Sequence, residues 1–275
     1  MRARSLVFDL FGDYLRERGG EIRLRGLIAL MGCFDVPDAT VRVVVTRLRK
    51  EGWLDSRRAG RETTYVLTDA AWRLLDEGRS RIFDRAADPW DGWWHMVIYS
   101  VPETERALRE QLRKKLSWLG FGPLSPSVWL SPHDRIGEVR ASVADWPAVR
   151  MDTFHARTES VMIDRDMAAR AWPLDELNRD YAAMLAVYRP RLDLYRAGAL
   201  TGQDALVERM QLINTYRRFP FRDPDLPTEL LPDDWAGRAA HEVFRQSHEL
   251  LREPAEACVD ELLGNTAPKT LAHQG

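Results

Sequence analysis

Residues 38–67 read DATVRVVVTRLRKEGWLDSRRAGRETTYVL, and the hydrophobic period changes partway through them. From Asp38 to Glu51, Val41, Val44, Val45 and Leu48 recur at i, i+3, i+4 and i+7, the apolar stripe of one helix. The other face carries Thr40, Arg42, Val43, Thr46, Arg47 and Lys50, and Asp38 is suited to cap the first turn. Gly52 ends the helix. Trp53–Arg57 and Glu62–Leu67 then read as short strands joined by Arg58-Ala59-Gly60-Arg61, and Thr68 caps a further helix carrying Trp72, Leu75 and Ile82.

Upstream, Val7, Leu10, Phe11, Tyr14 and Leu15 have helical spacing, and Gly19-Gly20 closes that helix. Ile22 and Leu24 make a brief strand, Leu27, Ile28, Leu30 and Met31 a short buried helix, and Asp35-Val36-Pro37 a turn. Helix, strand, helix, turn, helix, hairpin, helix is the order of a winged helix-turn-helix, expected over residues 1–88. A helix with one apolar face and one Arg/Thr face docks on its own core while its polar side enters a major groove, and a basic hairpin reaches phosphates or a minor groove. The alternatives are a merely solvated basic face, or a winged helix used as a protein-interaction module.

Composition alone points elsewhere. The 275 residues hold 40 Lys/Arg and 42 Asp/Glu, a formal charge of -2, where a nucleic-acid binder is usually basic. The average conceals a gradient: residues 39–65 hold seven Lys/Arg against three Asp/Glu, and residues 1–68 hold thirteen against nine. At 45% hydrophobic and 30% charged, the chain can bury two or three cores. Its longest apolar run, Leu27–Phe34, is too short to span a bilayer, and Asp9 and Asp13 interrupt any signal-peptide core. Cys33 and Cys258 give no disulfide framework and no zinc ligand set, so a reducing cytoplasm is the expected setting.

After a polar linker at residues 84–92, Trp93–Ser100 reads as a strand. Leu108, Leu112, Leu116 and Leu119 stripe a helix, residues 121–125 and Ser127–Leu130 are two strands, Ile136, Val139 and Val143 mark a helix, and Val149–His155 is a closing strand. This β-α-β-β-α-β order is ferredoxin-like and is expected over 89–165. It holds no dinucleotide loop, no phosphate loop and no Gly-x-Ser-x-Gly elbow. His95, His133 and His155 are scattered and read as core or surface histidines. His241 and His248 share a helix face, but i, i+7 is a poor spacing for two ligands of one ion. Residues 166–264 read as an all-helical domain and 265–275 as a loose tail, giving an α+β chain overall. Tyr216, Arg217, Arg218 and Arg222 form a guanidinium cluster suited to a phosphate or carboxylate effector, or to pairing with the acids of RDPDLPTELLPDDW. No catalytic residue, metal ligand or cofactor site is assigned.

Five blocks in order resemble the PaaX-type transcriptional regulators: LFGDYLRERGGEIRLRGLIALM, VRVVVTRLRKEGWLDSRRAGRETTYVLTD, WDGWW, LGFGPLSPSVWLSP and YRRFPFRDPDLPTELLPDDWAG. The resemblance implies a DNA-binding winged helix, a Cas2-like ferredoxin fold, a helical C-terminal effector and dimerisation domain, and a homodimer on a palindromic operator. It also implies repression of a catabolic operon relieved by a CoA thioester such as phenylacetyl-CoA. On matching positions it makes Thr40, Arg42, Val43, Thr46 and Arg47 the recognition surface and Arg58, Gly60 and Arg61 the wing. Cas2 nucleases end their first strand with a metal-binding Asp; here Ser100 holds that position, which weakens the rival reading of a metal-dependent nuclease. A second rival is a winged-helix DNA binder with no small-molecule effector.

Overall fold

The computed structural model describes residues 1–60, 62–83 and 89–264. They form two compact units. The first takes the residues up to Phe83, Met184–Arg217 and those from Ala239 on; the second takes Pro89–Ala183 and Arg218–Arg238. The helical segment 166–264 is therefore shared between the units. The tail 265–275 lies outside the described residues.

In the first unit, α1 (Ala3–Leu10) buries Leu6, Val7 and Leu10 and runs into a π-helical turn, Phe11–Leu15, and a 3-10 turn, Arg16–Arg18. β1 (Glu21–Arg23) leads into α2 (Leu24–Gly32), and α3 follows over Asp38–Lys50. Asp38 is not the cap of α3. Pro37 holds that position without a side-chain hydrogen bond, and Asp38 sits in the first turn, where its charge favours the positive end of the helix dipole. β2 (Leu54–Ala59) and β3 (Glu62–Leu67) pair antiparallel in register Leu54↔Leu67 to Ala59↔Glu62, and β1 adds on the other side of β3. Gly60, at φ +62, supplies the left-handed turn residue of this hairpin. Thr68 caps α4 (Asp69–Phe83), its Oγ1 accepting from the Ala71 N–H at 3.3 Å.

The second unit is built on β4 (Trp94–Ser100), α5 (Arg106–Trp118), β5 (Gly122–Ser125), β6 (Val128–Ser131), α6 (Ile136–Val143) and β7 (Arg150–Ala156). All pairings are antiparallel, in the order β5-β6-β4-β7. That is the β-α-β-β-α-β arrangement expected for residues 89–165. Alternation on β4 sends Val97 and Tyr99 into a core with Leu112, Leu116, Trp129 and Val139. Trp94 and Met96 face the other way, toward α7 (Val161–Ala171) and the start of α8 (Leu174–Tyr188). There the Trp94 indole donates to buried Asp164 at 2.7 Å, and Trp172 covers Gly122 so closely that a Cβ would come within 2.5 Å of its ring. The sequence reading did not mark α7, whose Val161, Met162 and Ile163 point outward and blur its period.

The remaining helices are α9 (Leu192–Arg196), α10 (Gly202–Tyr216), α11 (Gly237–Leu250) and α12 (Arg252–Gly264). The break between α11 and α12 was not legible either. Within the first unit α12 packs on α2 and α10, and α10 also meets α1. Cys33, just after α2, and Cys258 of α12 are both free thiols; burial pushes each pKa up, and the Cys33 thiol donates to the Ala29 carbonyl at 3.7 Å.

Two acids of the N-terminal helical segment are withdrawn from solvent here, Asp9 buried and Asp13 nearly so. Asp9 pairs with Arg217 and Asp13 with Arg209. Burial pushes Asp9 up to about 6, with Asp13 adding to the rise and Arg217 opposing it; its Oδ2 has no hydrogen-bond partner among the described residues. A carboxyl whose folded pKa lies above its unfolded value makes folding less favourable as pH rises between the two. The wild-type urea midpoint should therefore fall relative to that of Asp9→Asn as pH is raised from about 4 to 7. A constant difference between the two would show that Asp9 is already ionised at pH 4.

Candidate nucleic-acid interface

Inside the first unit, α3 packs on α1, α2 and β2. It buries Val41, Val45 and Leu48, with Val44 at the margin, as the stripe predicts. Thr40, Arg42, Val43, Thr46, Arg47, Arg49 and Lys50 are exposed, so one side of the helix carries four cations. Val43 is 67% exposed, an unusual place for a branched apolar side chain on a helix that buries three others. An aliphatic group between cations suits a thymine methyl beside guanine edges. The Thr46 hydroxyl donates to the Arg42 carbonyl at 2.7 Å, which leaves its lone pairs and methyl outward. Arg47 reaches Glu51 at 2.8 Å, while its side chain stays 73% exposed. Such a solvent-exposed i, i+4 pair contributes little and yields easily to a phosphate or a base.

The hairpin carries Arg57 and Arg58, both exposed. Arg57 pairs with Glu21 of β1, and the Arg58 Nε donates to the Gly60 carbonyl at 3.3 Å, a bond that gathers the tip. Glu62 is shared by Arg23 and Arg25 at 3.4 and 3.0 Å. Arg61, expected in the wing, lies outside the described residues.

The four residues expected at an effector site are distributed differently. Tyr216 is fully buried, stacked on Phe244 at 4.0 Å, with its hydroxyl 2.8 Å from His241 Nδ1. Arg217 pairs with Asp9 in the first unit. Arg218 and Arg222 belong to the second, where Arg222 bridges Glu176 and Asp180 at 2.8 and 2.6 Å. The carboxylates that meet Arg217 and Arg222 lie outside the acidic loop named as their alternative partners.

A cleft of about 730 Å³ opens in the first unit, lined by Arg79, Arg196, Arg245 and Arg252 together with the carboxylates Glu17, Glu249 and Glu256, with Phe83, Asp13, Arg209 and His248 among its walls. Phe83 presents an aromatic surface backed by Phe244 and His248, with ring centroids 5.5 and 5.2 Å away. Arg79 lies over that ring at 5.3 Å. Sequence reasoning missed this site because its cations come from separate helices and share no motif. Ser100 is exposed at the end of β4, opposite Arg150. No helix among the described residues is long and apolar enough to cross a membrane.

Basic helix, hairpin, antiparallel β-α-β-β-α-β sheet and helical C-terminal segment together define a family. Residues 2–71 match the model of the PaaX-like protein, 87–168 that of the PaaX protein central Cas2-like domain, and 172–261 that of the PaaX-like protein C-terminal domain. The chain belongs to the PaaX family of regulators. It is 34% identical over 267 residues to the transcriptional repressor PaaX of Escherichia coli K12, covering 94% of this chain and 83% of that one. An uncharacterised protein of Mycobacterium tuberculosis, Rv0674, is similar in structure, with a TM-score of 0.64 and 26% identity over 93% of this chain and 98% of that one.

Proposed function

We propose that this chain is a cytoplasmic DNA-binding transcriptional repressor rather than an enzyme. Residues 1–88 act as a winged helix-turn-helix, 89–165 as a Cas2-like ferredoxin module, and 166–264 as the helical effector and dimerisation region. The observation that carries the reading is the exposed face of α3, Thr40, Arg42, Val43, Thr46 and Arg47, on a helix whose opposite face is buried beside a basic hairpin. α3 reads base edges in the major groove, and Arg58 and Arg61, on either side of Gly60, contact the backbone or the minor groove. Two copies on a palindromic operator set their α3 helices about 34 Å apart, or a multiple of that. Exposed Ile98 and Phe154, on neighbouring strands of one sheet face, support a homodimer.

Family membership supports an effector of CoA thioester type, such as phenylacetyl-CoA, that releases the operator of a catabolic operon. We assign its binding to the cleft lined by Arg79, Arg196, Arg245 and Arg252. Guanidiniums suit the phosphates of CoA, and Phe83 suits an aromatic acyl group. The cleft also borders Asp13, Arg209 and His248, which join the N-terminal helix to α10 and α11 inside the same unit.

The test is a mobility shift on DNA flanking the gene, across a salt series and with aryl-CoA and acyl-CoA panels. The expected result is a specific complex that weakens steeply with salt and is released by an aryl-CoA. In Arg58→Ala the log–log salt slope should shrink by about 0.9, the contribution of one phosphate contact. Salt-independent binding, or none, would overturn the DNA assignment. A complex that no thioester releases would overturn the effector.

A further inference from the structure

The sheet face of the second unit that carries Val97 and Tyr99 under α5 and α6 ends in a row of different chemistry. Register sets His155 of β7, His95 of β4 and Ser131 of β6 abreast on three adjacent strands, one step beyond the row Thr153, Val97, Trp129. His95 is buried, and its Nδ1 has no hydrogen-bond partner among the described residues. The exposed His155 ring meets it edge-on, with centroids 4.7 Å apart and an interplanar angle of 71°. Asp134, in the turn after β6, brings Oδ1 to 3.7 Å from that Nδ1, too far for a hydrogen bond. One ligand atom from each of His95, Asp134 and His155 lies within 4.8 Å of the other two.

We propose that His95, Asp134 and His155 bind one divalent transition-metal ion of the zinc class. Two imidazole nitrogens and a carboxylate oxygen are a borderline-soft donor set, favoured by zinc, cobalt or nickel over magnesium or calcium. Metal bonds of about 2.0–2.1 Å require ligand atoms on the order of 3.3 Å apart in a tetrahedron. Small rotations of the two exposed side chains, His155 and Asp134, close that difference around the fixed His95. An ion there gives the buried Nδ1 its missing partner and leaves a fourth position toward solvent for water or a small anion.

The support for the ligands is already built. Asp134 Oδ1 accepts the Ile136 N–H at 3.2 Å, and the His133 N–H donates to Ser131 Oγ at 3.1 Å, so the turn is held from both sides. His133 Nε2 lies 2.8 Å from the Asp225 carbonyl, tying the same turn to the Arg218–Arg238 segment. The ion would staple β4, β7 and the turn before α6, three points that the sequence separates by tens of residues. This role is independent of DNA and effector binding.

Untagged full-length protein, stripped of metal, should be titrated with Co²⁺ alone, read by its visible d–d absorption, and then with Zn²⁺ in competition. One equivalent of Co²⁺ per chain, displaced by Zn²⁺, is expected. His155→Ala and Asp134→Asn alter exposed positions and leave His95 in place. Each should weaken Co²⁺ binding by more than the roughly 10–100-fold typical of losing an outer-shell partner, with circular dichroism unchanged. Absence of a stoichiometric Co²⁺ complex, or equal affinity in wild type and both variants, would refute the site.

Discussion

Arg209→Met lowers the unfolding free energy by about 3–5 kcal/mol, the loss typical of breaking a buried ion pair from one side. Arg209 is 2% exposed, and its guanidinium is fully engaged: with Asp13, with the His248 carbonyl at 3.0 Å and with the Tyr14 ring at 5.1 Å. Methionine keeps most of the apolar stem, so packing loss is small. What remains is a nearly buried Asp13 carboxylate that has lost the Arg209 guanidinium and keeps the His248 Nε2 contact at 3.0 Å and the more distant Arg79 charge. Burial alone would raise the Asp13 pKa, but the His248 hydrogen bond and the Arg209 charge more than reverse it and hold it below the usual range. A depressed carboxyl pKa contributes stability above the unfolded value and loses it as pH falls through the folded value. The gap between wild type and Arg209→Met should therefore be widest near neutrality and narrow in acid, measured by urea unfolding at several pH values. Replacing both partners, Arg209→Met with Asp13→Leu, should recover much of the loss, because no charge is left stranded.

The same ion pair bears on regulation. Asp13 belongs to the N-terminal helix, while Arg209 and His248 lie on α10 and α11, and all three border the arginine-lined cleft. A polyanionic effector of the proposed kind, bound there, would compete with Asp13 for Arg209 and Arg79 and so act on the segment that supports α3. Under that proposal, reciprocity would require operator DNA to weaken effector binding by the same factor.

How far the sequence revealed this arrangement depends on how local each signal is. The α3 stripe and the presence of the hairpin rest on periods of 3.6 and 2 within thirty residues, and both were legible; its register was not, since β2 runs on to Ala59 through two residues expected in the turn. The element order of the second unit was legible too, and few topologies accommodate β-α-β-β-α-β. The partition of 166–264 was not legible: an amphipathic period says which face of a helix is buried, not which neighbour buries it. The pairing of Arg217 with Asp9 spans 208 residues, and that of Arg209 with Asp13 spans 196; no spacing encodes either. His95 and His155 become a pair only through the β4–β7 register, which the isolated residues do not announce.

The double variant Arg42→Ala/Arg47→Ala should lose about 2–6 kcal/mol of operator affinity, with folding intact. A guanidinium that reads a guanine edge is worth about 1–3 kcal/mol, and two reading separate bases add. Both side chains are exposed on α3, and among the described residues the partner given up is the solvent-screened contact of Arg47 with Glu51, so stability should stay close to that of the wild type. The diagnostic is the ratio of operator to random-sequence affinity, measured at one salt concentration. Loss of base reading lowers operator binding far more than random binding, so the ratio collapses. Loss of mere charge lowers both together and leaves the ratio standing, as Arg58→Ala should. Parallel losses in the double variant would move Arg42 and Arg47 from the base edges to the phosphates, and an unchanged operator affinity would remove α3 from the groove.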